Sequence, residues 1–402
     1  GVNIQSSVDT AIAGDTVLVK AGSYVEQVFV DKTLALVGES GAASTFIIAP
    51  STIPVASDPD STIVKIAGSG VSVEMSGFTV TGPGPGGCGT INTGIFVRDD
   101  AYANIHHNRI LDIRDNPFSG CQNGVAIQVG RLSLGTSGTA DISNNEIAGY
   151  QKNGVTVSNA GSSATLTGNT ITGAGATTVI AQNGVQFSGG AAGEVNENTI
   201  SDHSYSPGSW TSTGMLLWGA DVNTNGNIMS ENQVGVYHIE GSGVHDANIL
   251  NVSTAGTLSP YLYGFVVDAP PPGLTPSPFE DEGAAPATFS MIPLLSATVQ
   301  DVDIINNELT GDGTSAGYGI GAYGGYGSMD IDLTVTNNKI NNFGVGLDIF
   351  QCTGSCTTGV FSNVTVNLNS ITGNADYGLL NTDAIPVNAE LNWWNSPDGP
   401  AP

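Results

Sequence analysis

Cationic side chains are scarce in this chain: nine Lys and Arg stand against 36 Asp and Glu, for a formal net charge of −27. Nucleic acid is thereby excluded as a partner, because phosphate binding needs clustered cations. An anionic membrane surface is disfavoured for the same reason. Charged residues of either sign make up only 11%, against roughly 25% in an average soluble domain. Helices favour Glu, Lys, Ala and Leu, so this composition argues against a helical protein. Long apolar runs are missing too, and no stretch of eighteen exists to insert into a bilayer. No leader precedes the first structural residues at Gly1, as expected of a processed, secreted product.

What is abundant is glycine, with 55 residues, together with Ser, Thr and Asn, while 40% of the chain is apolar. That combination gives a turn-rich, neutral-polar surface around a sizeable core, which suits an extracellular β protein. The acidic excess keeps such a protein soluble and could also hold Ca²⁺.

A repeat sets the architecture. Gly followed by alternating apolar residues occurs at Gly94, Gly124, Gly154, Gly184 and Gly214, each thirty residues after the last. It continues at Gly235, Gly264, Gly319, Gly346 and Gly378. Between these copies runs Asn-x-Ile, at Asn108, Asn145, Asn169, Asn198, Asn338 and Asn369, with Asn307-Glu-Leu309 a close relative. A thirty-residue unit with two or three short strands cannot bury its apolar side alone. Stacking units in register solves this. The expected fold is therefore all-β, a parallel β-helix of about eleven coils at residues 16–390, in one domain spanning 1–402. Residues one and three after each Gly should point inward (Ile95/Val97, Val125/Ile127, Val155/Val157, Val185/Phe187, Met215/Leu217). Residues two and four should face outward (Phe96/Arg98, Ala126/Gln128, Thr156/Ser158, Gln186/Ser188). The Asn before each Ile suits a left-handed turn and can bond to its copies in neighbouring coils.

Open coil ends invite aggregation, so caps are expected. Asn3 to Ala13 reads as an amphipathic helix with Ile4, Val8, Ala11 and Ile12 on one stripe, giving an N-terminal cap over 1–15. At the other end, 391–402 carries Trp393 and Trp394 as an aromatic cap.

These residues carry a family resemblance. Ile4-Gln-Ser-Ser-Val-Asp, Gly14-Asp-Thr-Val-Leu-Val, Gly22-Ser-Tyr-Val-Glu and Leu34-Ala-Leu-Val-Gly38 resemble the opening of pectate-lyase-like right-handed parallel β-helix proteins. The Asn-x-Ile repeats and the Trp-Trp-Asn-Ser-Pro-Asp-Gly-Pro tail are similar to the same superfamily. The resemblance implies the fold. It leaves activity open, because this scaffold hosts lyases, hydrolases, esterases, epimerases, adhesins and structural proteins.

The four cysteines fall in two pairs. Cys352 and Cys356 flank a short turn, while Cys88 and Cys121 lie just before the Gly of consecutive coils, so stacking would bring them together. No His spacing near them suits zinc. Two disulfides, and hence an oxidising compartment, are expected.

Residues 269–298 interrupt the repeat with a proline-rich insertion whose apolar members include Phe279, Met291 and Leu294. Such a segment reads either as an arm that docks on a neighbour or roofs a groove, or as a loop folded on its own solenoid. Leu216, Trp218, Tyr237 and Ile239 fall on outward positions, an unusually apolar set that suggests an interface, a sugar platform or a covered wall.

Two groups could do chemistry on a glycan. One is Arg98, Asp99, Asp100, His106, His107, Arg109, Asp112, Arg114 and Asp115, with Arg131 and Lys152 nearby. It suits a lyase base in an acidic frame or, more plainly, local ion pairs. The other is Asp202, His203, Tyr205 and Trp210, with Trp218, His238, Glu240, His245 and Asp246. It suits a sugar subsite with a general acid, although His238 counts as inward. The motif sets of polygalacturonase-like hydrolases and of pectate lyases are missing. Asp301/Asp303 and Asp330/Asp332 are possible Ca²⁺ ligands, with no cofactor required. The sequence thus favours a non-catalytic extracellular solenoid: a cell-surface, adhesive or filament-forming subunit that self-associates or binds an extracellular glycan. A secreted polysaccharide lyase or glycoside hydrolase is the alternative. Asn251-Val-Ser and Asn363-Val-Thr are glycosylation sequons.

Overall fold

The computed structural model describes residues 3–53, 61–84, 86–206, 210–253, 262–268, 299–314, 316–324, 329–352, 359–382 and 385–395. The insertion at 269–298, with Phe279, Met291 and Leu294, lies outside the described residues, as does Cys356. Among the described residues, thirty-six strands follow one another in groups of three, making twelve turns. The two turns that hold Val28–Val30 and Thr62–Ala67 lack the repeat glycine, which is why glycine counting finds fewer.

The chain divides into two compact units, one built mainly from residues before 174 with 184–193, the other from 175–183 and from 194 onward. Within each, every strand pairs in parallel with the strand one turn later. In the first unit the third sheet runs through Val28–Val30, Thr62–Ala67, Thr93–Arg98, Val125–Val129 and Asn153–Ser158. In the second it runs through Thr213–Trp218, Val234–Ile239, Leu262–Asp268, Gly317–Gly324, Val345–Gln351 and Tyr377–Asn381. The first and second sheets repeat the pattern, for example Ala101–His106 on Gly138–Ser143 and Glu308–Thr310 on Lys339–Asn341.

Side chains of like type meet along the core. Ile95, Ile127 and Val155 stack in one inward column, and Val97, Val129 and Val157 in the next. This corrects the motif alignment in one turn: Val125 pairs with Thr93 and Asn153, two residues away from its expected neighbours. Ala126 takes the place of the repeat glycine there. A slip of two preserves the in–out alternation of a strand, so the core is intact. The repeat glycine itself is needed for close approach. A Cβ on Gly214, Gly235, Gly264, Gly319 or Gly346 would strike the carbonyl oxygen of the equivalent glycine one turn on.

The outward positions of the first unit's third sheet depart from expectation. Phe96, Ala126, Gln128, Thr156, Ser158, Gln186 and Ser188 are all buried. Thr156, Gln186 and Ser188 bond sideways there. Asn153 Nδ2 donates to Thr156 Oγ1 and to Gln186 Oε1, each at 2.9 Å. The Arg131 guanidinium lies 4.7 Å over the Phe96 ring.

The asparagine ladder forms, with one change of role. Asn145 donates its amide to Asn169 Oδ1 at 3.0 Å, and Asn227, Asn248, Asn307, Asn338, Asn369 and Asn392 link in the same way. The left-handed residue is the one before each Asn: His107, Asn144, Glu197, Ala247, Asn306, Asn337, Leu368 and Leu391 all have positive φ. The ladder Asn is freed from the turn to satisfy backbone N–H groups of the neighbouring turn, as when Asn248 Oδ1 accepts from Asn227 N.

At the start, a helix spans Ile4–Thr10, capped by Asn3, whose side chain accepts from Ser6 N. Ile4 and Val8 are buried as expected, but the helix stops before Ile12, which is exposed. At the other end, Trp394 lies against Gly378 at the last turn while Trp393 stays half exposed. Segment 388–393 extends the ladder by bridging Thr365 to Asn388 and Ser370 to Trp393.

Candidate functional site

The third sheet of the second unit carries a set of aromatic and acidic side chains on its outer face. Counting from each repeat glycine gives the columns. Tyr263 and Tyr318 precede Gly264 and Gly319, and their rings stack with centroids 4.8 Å apart and planes 16° from parallel. Tyr237 and Asp348 lie two after their glycines; Trp218, Asp268 and Tyr323 lie four after theirs. Strand alternation places Trp218, Tyr237, Asp268, Tyr323 and Asp348 on the outer side. Tyr263 and Tyr318 have the inward parity, and Tyr263 reaches this face through its contact with the Tyr323 hydroxyl and beside Gly321.

The acids are held by phenols. Tyr237 Oη donates to Asp268 Oδ2 at 2.9 Å, and Tyr323 Oη lies 3.1 Å from Tyr263 Oη and 3.4 Å from Asp348 Oδ2. Gly321 leaves room for this: a Cβ there would press on the Tyr323 hydroxyl. Asp348 is pushed up from the usual carboxylate range by burial, against the Tyr323 hydrogen bond. Burial also raises Tyr323 well above an ordinary phenol. Glu240, the residue after this strand in the preceding turn, is buried with positive φ; burial and then the charge of Asp268 raise its pKa. Lys339 is the single Lys or Arg after residue 152, and it pairs with Glu308 at 3.7 Å on the second sheet. This face therefore offers stacking rings, hydroxyls and carboxylates without a cation.

The sequence-selected residues scatter over several places. Glu240, Trp218 and Tyr237 belong to this face. Leu216 and Ile239 are on it but buried, so the expected apolar patch is not an open one. His203, His238 and His245 are core residues. His203 Nδ1 donates to Asn232 Oδ1 at 2.7 Å, and burial lowers its pKa to about 4. His238 Nδ1 lies 3.0 Å from His245 Nε2; burial takes His238 to about 4 and His245 well below its ordinary value. Asp202 bonds Ser201 on the second sheet, and Asp246 accepts from Asn225 and Asn306 on the first. Trp210 is exposed in a loop.

The cationic group separates likewise. Arg109 makes a two-pronged ion pair with Glu146, at 2.7 and 3.1 Å, and Arg114 binds Asp112 at 3.2 Å. Arg98 bonds the neighbouring Asp99. Lys152 is fully buried, and desolvation lowers its pKa to about 7. On the first sheet Asp301 and Asp332 are register neighbours. Burial, then Asp303 and Asp332, raises Asp301. Among the described residues no three carboxylates lie within 4.8 Å of one another. Both sequon asparagines, Asn251 and Asn363, are exposed.

Cys88 and Cys121 form a disulfide with Cα atoms 5.6 Å apart. Cys352 is disulfide-bonded as well. These disulfides point toward an oxidising environment. Among the described residues no helix is long and apolar enough to cross a membrane.

Sequence counting reached the columns but passed over Tyr263, Tyr318, Tyr323, Asp268 and Asp348. Tyr323, Asp268 and Asp348 sit at outward offsets from their repeat glycines, whereas Tyr263 and Tyr318 sit at an offset that alternation alone assigns to the core.

The comparisons agree with the architecture. Two solved catalytic domains of GH87 α-1,3-glucanase are similar in structure: the D1069A variant with tetrasaccharides at TM-score 0.52, and the D1045A variant with nigerose at 0.53. Each is 11% identical, with 94% of this chain aligned; this chain spans 64% of the length of those domains. PfbA, a surface adhesin of Streptococcus pneumoniae, aligns at TM-score 0.41 and 10% identity, over 93% of this chain and 86% of the adhesin. No curated protein matches. The family model for the right-handed beta helix region matches residues 93–259. At that match, and with the three-strand turn repeated on both sides of it, this chain is shown to carry a right-handed β-helix region.

Proposed function

We propose that this chain is an extracellular glycan-binding β-helix whose binding face is the outer side of the third sheet in the second unit. The observation that carries the reading is the stacked Tyr263–Tyr318 pair with Asp268 and Asp348 beside it, each carboxylate in reach of a tyrosine hydroxyl. Aromatic faces pack on sugar C–H groups, and carboxylates accept from sugar hydroxyls. With no Lys or Arg among the described residues of this face, a polyuronate would meet only like charge. The ligand is therefore an uncharged glycan. Such a wall serves a surface or adhesive protein, with the sheet facing the sugar rather than a second subunit, since Leu216 and Ile239 are already covered.

Glu240 favours a second reading, hydrolysis. Burial, then the charge of Asp268, raises its pKa in the direction a general acid needs, and Asp268 is the neighbouring carboxylate. A lyase is disfavoured, because the cationic base it needs is not found there. Affinity electrophoresis through gels containing neutral glucans, xylan or pectate tests the reading. Retardation in a neutral gel, lost in Tyr263→Ala, is expected; retardation in pectate alone, or in none, overturns it. Release of reducing ends that stops in Glu240→Gln would promote hydrolysis over simple binding.

A further inference from the structure

A different place, on the first sheet of the first unit, carries chemistry that glycan binding does not use. His106 ends the strand Ala101–His106 on its outward side, and His107 follows in the left-handed turn with φ of 54°. That turn swings the second ring toward the first. The two rings meet edge to face with centroids 5.2 Å apart, and His106 Nδ1 lies 3.0 Å from His107 Nδ1. Glu74, one turn earlier on the same face, places Oε1 at 3.3 Å from His106 Nε2.

We propose that His106 and His107 form a surface site for a divalent transition metal, with Zn²⁺ the expected ion. Three features support it. The carboxylate of Glu74 accepts a hydrogen bond from Nε2–H, which fixes His106 in the Nε2–H tautomer and leaves the Nδ1 lone pair facing His107; carboxylates order metal-binding imidazoles in this way. Two nitrogens bound to one ion at the usual Zn–N length lie roughly 2.9 to 3.4 Å apart, and the observed spacing is within that span. Both rings reach solvent, so water or an incoming ligand completes the shell. Imidazole donors select Zn²⁺, Ni²⁺ or Cu²⁺ over Ca²⁺ and Mg²⁺, which prefer oxygen.

The molecule makes this testable, because His203, His238 and His245 are fully buried and do not compete. The experiment is calorimetric titration of the untagged full chain with Zn²⁺ at neutral pH, and with Ca²⁺ and Mg²⁺ as controls. A saturable single equivalent of Zn²⁺ is expected, absent for Ca²⁺ and Mg²⁺ and lost in both His106→Ala and His107→Ala. Glu74→Gln should weaken binding by about tenfold through the tautomer while keeping both ligands. Thermal melts of the same variants should match the parent, since the rings lie at the surface. No saturable Zn²⁺ uptake, or uptake unchanged in the two alanine variants, overturns the proposal.

Discussion

The outer face of the third sheet is built differently in the two units. In the first it is a ladder of Gln128, Thr156, Ser158, Gln186 and Ser188, all buried, with Asn153 bonded to Thr156 and Gln186, Gln186 to Ser188, and Phe96 under Arg131. In the second the same columns hold Trp218, Tyr237, Asp268, Tyr323 and Asp348, half-buried, with Asp268 and Asp348 bonded to tyrosine hydroxyls. The backbone turn is common to both. A solenoid fixes where outward side chains go and leaves their chemistry free, so one wall closes on itself while the other presents a surface.

That contrast can be broken or sharpened by substitution. The largest expected effect is Phe96→Ala in the first unit. It should cost about 3 to 5 kcal/mol of stability while leaving glycan retardation unchanged in the folded fraction, checked by denaturant unfolding. Tyr263→Ala in the second unit should do the reverse and abolish retardation at little cost to the midpoint. If both variants lose only stability, the two walls do not differ in kind.

The asparagine ladder is the control, since both units share it. Asn145→Ala and Asn248→Ala each leave buried N–H groups of a neighbouring turn without an acceptor, at about 2 to 3 kcal/mol apiece. Matching losses would show that the scaffold is energetically uniform under its two different walls.

Titration separates the units next. Lys152 in the first has its pKa lowered from 10.5 to about 7 by burial. The unfolded chain then binds more protons than the folded one between those values, so stability rises with pH through that window. His203 and His238 in the second unit fall from 6.5 to about 4. The sign is the same: stability is fully present above 6.5 and is lost as pH falls toward 4. Melting profiles should therefore climb in two windows, and Lys152→Met should flatten only the upper one. The smallest effect belongs to the exposed ion pairs at one shared position of the second sheet, Arg109–Glu146 and Lys339–Glu308. Alanine at Arg109 or Lys339 should change stability by less than about 1 kcal/mol.

Much of the scaffold was legible in the sequence, because burial repeats. Gly264, Gly319 and Gly346 recur where turns touch backbone to backbone, and Asn145, Asn169 and Asn338 recur where N–H groups need an acceptor. Asn227 and Asn248 escaped the pattern because Met229 and Leu250 replace the Ile, although the inward position asks only for an apolar side chain. The slip at Val125 was hidden because a shift of two keeps every side chain on its face. The binding face was harder to read. Its members are spread over five turns, from Trp218 to Asp348, and only stacking makes them neighbours. Histidine drew attention as a reactive residue, yet three of the five histidines fill the core.

The most direct test is a crystal structure of this chain soaked with a neutral oligosaccharide that retards it in gels. Sugar rings should lie against Tyr263 and Tyr318, with hydroxyls donating to Asp348. A saccharide ordered on the first or second sheet instead, with the tyrosine wall bare, would contradict the assignment of that wall as the binding face.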